Sequence, residues 1–158
     1  MANKVYQKDE TAITWLASGG TYAFTPTSLA TVSGRQGAYG DLGTSARSRL
    51  FAWRAWIKPG GTRVVNEIVY IYVTTGDGTV YDNDDGTGDI ALSSVNKLLN
   101  VRCIGKITID ENAAVTMAAS GLIELPARYV APIFYNATAN TLSSTAADFG
   151  FSLTPVPD

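Results

Sequence analysis

The residues best suited to hold a cation fall in one run, Asp77-Gly78-Thr79-Val80-Tyr81-Asp82-Asn83-Asp84-Asp85-Gly86-Thr87-Gly88-Asp89. Hard cations take several oxygen ligands, and loops of Asp, Asn and Gly supply them. The spacing departs from a calcium hand, however. With Gly86 as the hand's glycine, its first ligand position falls on Tyr81 and its closing glutamate on Leu92. The sequence therefore predicts a mobile, solvated loop of Asp and Asn turns, and no metal site. Acid–base chemistry on a sugar needs paired carboxylates. Beyond the N-terminal residues only Glu67, Glu111 and Glu124 remain, and no spacing links them. Cys103 alternates with Val101 and reads as a small buried apolar side chain. The chain contains no histidine, which removes the commonest general base, metal ligand and partner of a Ser or Cys nucleophile. No catalytic residue and no cofactor is assigned, and the expectation is a protein that is not an enzyme.

The aromatic residues are the second candidate set. Trp15, Trp53, Trp56, Tyr70 and Tyr72 suit a carbohydrate platform, a core or a protein interface. Trp15 and Trp53 are expected in the core. Trp56 shares a strand face with Arg54 and Lys58, and Trp, Tyr and Arg are the residue types that anchor protein interfaces. Arg54, Trp56, Tyr70 and Tyr72 fall on strand faces opposite the assigned core and are the expected contact residues.

Strands must position these side chains. Short apolar-alternating runs are punctuated by Gly, Pro, Asn, Asp, Ser and Thr, the mark of an antiparallel all-β domain. Ala12 to Ala17 is a strand, with Thr21 to Thr25 as its hairpin partner across Gly19-Gly20. A weak strand near Ser28 to Ser33 leads into a glycine-rich surface loop from Gly34 to Gly43. Arg47 to Ile57 fits a helix or a strand, and the strand is preferred because aromatics favour it and Lys58-Pro59-Gly60-Gly61 turns directly into another strand. Thr62 to Thr74 is apolar on both faces towards its end, as in a covered central strand. Leu98 to Asp110, Ala113 to Ala118, Leu122 to Leu125, Tyr129 to Tyr135 and a closing run around Phe149, Phe151 and Leu153 follow, with Pro126 marking a bend or edge. The total, about eight to ten strands, fits a sandwich or barrel.

The chain has 158 residues, 46% apolar and 16% charged, enough for one domain with a substantial core. A polar arm over 1–11 and a single β-domain over 12–158 are expected. No apolar run is long enough to span a bilayer, and Met1 to Glu10 lacks the apolar centre of a signal peptide, so the expectation is a soluble protein made in a host cytoplasm. A net charge of −2 with scattered basic residues offers no field for nucleic acid or an acidic membrane. One cysteine allows no internal disulfide.

The run Ala119-Ser120-Gly121-Leu122-Ile123-Glu124-Leu125-Pro126-Ala127-Arg128-Tyr129-Val130-Ala131-Pro132-Ile133-Phe134-Tyr135-Asn136 resembles the head-decoration (cement) proteins of tailed bacteriophages that have a jelly-roll fold. Phe149 to Val156 and Tyr70 to Thr79 share the likeness. The resemblance is a pattern of strands over roughly the second two-thirds of the chain, with no catalytic signature. It implies a jelly-roll β-sandwich on the outer surface of a virion, a homo-oligomer that binds the major capsid protein and clamps neighbouring capsid subunits; Arg54, Trp56, Tyr70 and Tyr72, singled out by their strand faces and residue types, are then the expected capsid or self contacts. No cofactor comes with it. The residues also admit a carbohydrate-binding or tail-fibre-tip recognition module. A lectin would present an exposed aromatic cluster, whereas a tail tip would carry an attachment segment, and none is visible.

Overall fold

In β5, Leu50–Ile57, apolar side chains alternate with outward ones: Phe51, Trp53, Ala55 and Ile57 are buried, and Leu50, Ala52, Arg54 and Trp56 face the other way. That two-residue period excludes the helical alternative, because a helix would have placed Leu50, Trp53 and Ile57 together. The computed structural model describes residues 10–44, 49–110 and 115–156. All but two of the arm residues expected over 1–11, together with Arg47, Glu111 and Asn112, lie outside the described residues.

The other strands are β1 Ile13–Leu16, β2 Tyr22–Ala23, β3 Ser33–Gln36, β4 Gly40–Asp41, β6 Ile68–Gly76, β7 Ile90–Ala91, β8 Arg102–Thr108, β9 Met117–Glu124, β10 Tyr129–Asn136 and β11 Gly150–Pro155. Helix among the described residues is confined to two short 3-10 segments, Val95–Asn100 and Ala146–Asp148. One sheet has the order β2-β1-β11-β5-β9 and the other β7-β3-β10-β6-β8, with β4 beside β10.

Eight strands remain when the two-residue strands β2, β4 and β7 are set aside. Their antiparallel pairs are β1 with β11, β3 with β10, β5 with β9 and β6 with β8. First pairs with last, second with second-last, and so on inward, which is one long hairpin. Rolling it into two layers adds the pairs β11 with β5 and β10 with β6. This connectivity is a jelly roll, an all-β antiparallel sandwich. Pro126 lies where the chain crosses from β9 in one sheet to β10 in the other, a position that asks for no ladder N–H.

The core is packed from both inner faces by Trp15, Phe24, Phe51, Trp53, Val69, Ile71, Phe134, Phe149 and Phe151. Trp53 closes the side of the sandwich where β8 and β9 approach. A Cβ at Gly105 would stand 2.6 Å from its Cη2, and one at Gly121 would stand 2.9 Å from its Nε1. Both glycines are there to admit the indole.

Five local expectations are corrected. Gly34 to Gly43 is not a surface loop: Gly34, Gln36, Gly37, Tyr39 and Gly40 are buried, and the stretch contains β3 and β4. Its glycines provide close approach, since Cβ atoms at Gly37 and Gly40 would stand 3.0 and 2.7 Å from the Trp15 ring. Ser28 and Val32 have positive φ, so the weak strand expected before it is a turn. Thr21 to Thr25 is no hairpin partner; β2 runs parallel to β1, and Thr14 and Thr21 exchange backbone-to-hydroxyl bonds of 3.2 and 3.1 Å. The strand expected from Leu98 starts at Arg102, after a 3-10 turn capped by the Ser94 hydroxyl. The strand expected from Thr62 starts at Ile68, beyond Asn66 at φ 70°.

Candidate functional site

The four contact residues expected from the sequence do not form one patch. Arg54 and Trp56 stand on the outer face of the first sheet, and Tyr70 and Tyr72 on the outer face of the second. The sandwich separates the two pairs, because the inner faces of β5 and β6 fill the core between them.

On the first sheet, Arg54 lies between Ser152 of β11 and Ser120 of β9, and Trp56 between Gly150 and Ala118. Small neighbours on both sides leave the guanidinium exposed and let the indole lie against Gly150. Arg54 is exposed and Trp56 half-buried. With Thr116 and Ala118 they line an open hollow of about 440 Å³. Leu122, 66% exposed, continues this face along β9.

On the second sheet, Tyr70 lies between Tyr135 of β10 and Lys106 of β8, and Tyr72 between Ile133 and Cys103. The Tyr70 and Tyr72 ring centroids are 6.4 Å apart. Both side chains are half-buried, and burial pushes the Tyr72 hydroxyl pKa up, with Cys103, Tyr70 and Tyr135 adding to the rise. Cys103 is exposed and shares this outer face, contrary to the buried position expected from its alternation with Val101. The reason is a bulge between Ile71 and Tyr72, which shifts the register of β8.

Most of the acidic run is exposed, but its side chains are bonded to neighbours. Asp77 accepts from the N–H groups of Thr79 and Val80 at 2.7 and 2.8 Å, and these bonds hold its carboxyl below the usual value. Asp82 accepts from the Thr75 N–H and hydroxyl at 2.9 and 2.6 Å. Asn83 is buried and donates to Gln36, whose own amide donates to the carbonyls of Gly86 and Gly88 at 3.0 and 3.3 Å. Asp85 accepts from the Ser93 hydroxyl at 2.5 Å, and Asp89 from Arg35 and Thr25 at 2.6 and 2.5 Å. Each of these side chains serves a different neighbour, and among the described residues no three acidic, Cys or His side chains converge as a metal site would need. Tyr39 anchors the arrangement from beneath, its hydroxyl 2.6 Å from that of Thr74 and donating to Asn83 Oδ1 at 3.3 Å. Burial pushes its pKa up to about 12.

The glutamates are not brought together as a pair. Glu67 precedes β6 in one sheet and accepts from the Ala139 N–H at 3.0 Å, whereas Glu124 ends β9 in the other. One hollow had no signal in the sequence, an open cleft of about 630 Å³ between the 58–62 turn and the 140–148 loop. Asp148 accepts from the Ser143 hydroxyl at 2.5 Å, and its other oxygen lies 3.9 Å from Lys58 Nζ. The serine donates to a carboxylate that a lysine already offsets, so the trio ties the loop to the turn and offers no activated nucleophile. Only a fold-level contact links Lys58 and Asp148, ninety residues apart, and spacing could not have shown it.

The fold and these surfaces define a jelly-roll sandwich with an aromatic patch on each outer face. No family model matches the chain, and no curated protein matches it.

Proposed function

We propose that this chain is a non-enzymatic structural protein of a tailed-phage virion, which binds the outside of the capsid and cements neighbouring major capsid subunits. One observation carries the reading: Arg54 with Trp56, and Tyr70 with Tyr72, lie on opposite outer faces of one rigid sandwich. A module with a contact patch on each of two faces is bivalent, and a clamp must be bivalent. A recognition module for one glycan needs a single site. The segments that resemble phage head-decoration proteins correspond to β6, β9 with β10, and β11, strands that lie inside the two sheets or form the edge beside β5.

The mechanism is area and avidity. A single contact of a few aromatic side chains is modest. Many copies, each touching two neighbours, raise the cost of separating any pair of capsid subunits, because the second contact of each copy forms at high effective concentration. The partners are the major capsid protein and other copies of this chain, with no nucleic acid, membrane or cofactor, and the place of action is the outer surface of the particle. Among the described residues no helix is long and apolar enough to cross a membrane.

The test is co-pelleting with empty shells of the phage major capsid protein. Wild-type protein is expected to pellet with the shells, and Trp56→Ala and Tyr72→Ala each to weaken binding by about 1–3 kcal/mol. A wild-type chain that ignores shells at micromolar concentration and binds a glycan through Trp56 would move the assignment to a carbohydrate-recognition module.

A further inference from the structure

The two sheets end in four edge strands, β2 and β9 in one, β7 and β8 in the other. An edge strand offers a row of unpaired backbone N–H and C=O groups, and natural edges are kept short or charged so that other strands do not add to them. β2 and β7 have two residues each, and β8 carries Arg102 and Lys106 at exposed positions. β9 has neither protection. It is eight residues long, reads MAASGLIE, and bears one charge, Glu124, at its last position. It pairs with β5 over its whole length along one side; among the described residues no strand pairs with the other, where β8 lies nearby and Arg102 donates to the Glu124 carbonyl at 3.3 Å. Ala118, Ser120 and Leu122 are exposed on its outer face.

We infer that β9 is the edge through which this protein associates with a second copy of itself, the two β9 strands pairing antiparallel about a two-fold axis through Ser120. An open edge accepts a strand, and the residue pattern selects its own copy. In this register Ala118 lies opposite Leu122 of the second copy, so a small residue receives the exposed leucine, while Ala119 lies opposite its Gly121 and Met117 opposite its Ile123 on the inward side. Ser120 meets Ser120 at the axis, where two hydroxyls can bond. Glu124 lies opposite Thr116, and the two glutamates fall at opposite ends of the pairing, so no like charges meet. The symmetry makes every contact twice, and two five-stranded sheets become one continuous sheet. Arg54 and Trp56 on β5 border this junction without being among its paired residues, and the tyrosines of β6 lie on the other sheet. The inference rests on the self-association in the proposed function and not on capsid binding.

The register makes the test specific. Directly opposite residues in an antiparallel pair have Cα atoms about 4.5–5.5 Å apart, within disulfide range. In a Cys103→Ser background, Ser120→Cys is expected to form a disulfide-linked dimer on mild oxidation, and Leu122→Cys is not. Sedimentation of the wild type is expected to show a dimer, and Leu122→Lys, at an exposed position that leaves the core intact, to weaken it at least tenfold. A wild type that is monomeric at tens of micromolar overturns the inference. So does cross-linking at residue 122 in place of 120, or a Leu122→Lys protein that dimerises as tightly as the wild type. Should Leu122→Lys fail to fold, the cysteine pair decides. Pelleting with empty shells separates this inference from the proposed function. A monomer that still binds shells overturns the β9 edge and leaves capsid binding standing, and a Ser120-linked dimer that ignores shells does the reverse.

Discussion

Trp56 on β5 rests against Gly150, its cross-strand partner on β11: a Cβ at residue 150 would stand well inside van der Waals contact with the indole Cζ2. A methyl group there is incompatible with the present position of the ring, so Gly150→Ala is expected to lift Trp56 off the sheet while Phe149 and Phe151 stay in the core. Trp15 and Trp53 are buried, so a change in acrylamide quenching of tryptophan fluorescence reports Trp56. Quenching should rise, and shell binding should fall by about as much as in Trp56→Ala, roughly 1–3 kcal/mol. Unchanged quenching would contradict the packing.

Trp53 fills the side of the sandwich between Gly105 and Gly121. Either glycine replaced by alanine overfills that space and is expected to cost about 1–3 kcal/mol, and Trp53→Ala about 3–5 kcal/mol. Urea denaturation measures all three, and the alanine at 105 or 121 should partly restore stability lost in Trp53→Ala by occupying the void.

Much of the fold was legible because sandwich strands carry a two-residue period. Phe51, Trp53, Ala55 and Ile57 declare one face of β5, and Val69, Ile71 and Val73 one face of β6. The errors occur where tertiary contact overrides local pattern. Glycines at 34, 37 and 40 look like punctuation until Leu92, Trp15 and Tyr22 are seen lying on them. Alternation with Val101 points Cys103 inward, and that parity fails past a bulge. Alternation shows that Arg54, Trp56, Tyr70 and Tyr72 face away from the core, but which sheet each face belongs to is a matter of topology, and alternation along one strand carries no information about it.

The buried amide pair Asn83 and Gln36 fastens the acidic run to β3. Asn83→Ala leaves Gln36 Oε1 without that donor and is expected to destabilise by about 1–3 kcal/mol. Millimolar calcium should leave the melting temperature unchanged, since the carboxylates of Asp77, Asp82, Asp85 and Asp89 are spent on separate partners. A calcium-dependent rise abolished by Asp84→Ala would contradict this.

Tyr39 gives an alkaline signature. Its folded pKa, about 12, lies above the ordinary value of 10.0, so above pH 10 the unfolded chain loses this proton first. The contribution is fully present below pH 10 and is lost as pH rises through the folded value. Stability should therefore fall between pH 10 and 12, and that fall should be shallower in Tyr39→Phe, by roughly 1–2 kcal/mol after solvent screening. Equal alkaline slopes in the two proteins would contradict the burial of the hydroxyl.

The proposed clamp uses both outer faces of one sandwich to hold a shell together, and a reconstruction of the phage particle with the protein bound would display both contacts at once. The protein is expected on the outer surface, with the Arg54 and Trp56 face against one neighbour and the Tyr70 and Tyr72 face against another. A particle that lacks the protein, or holds it by one end of the sandwich with both faces bare, would contradict it.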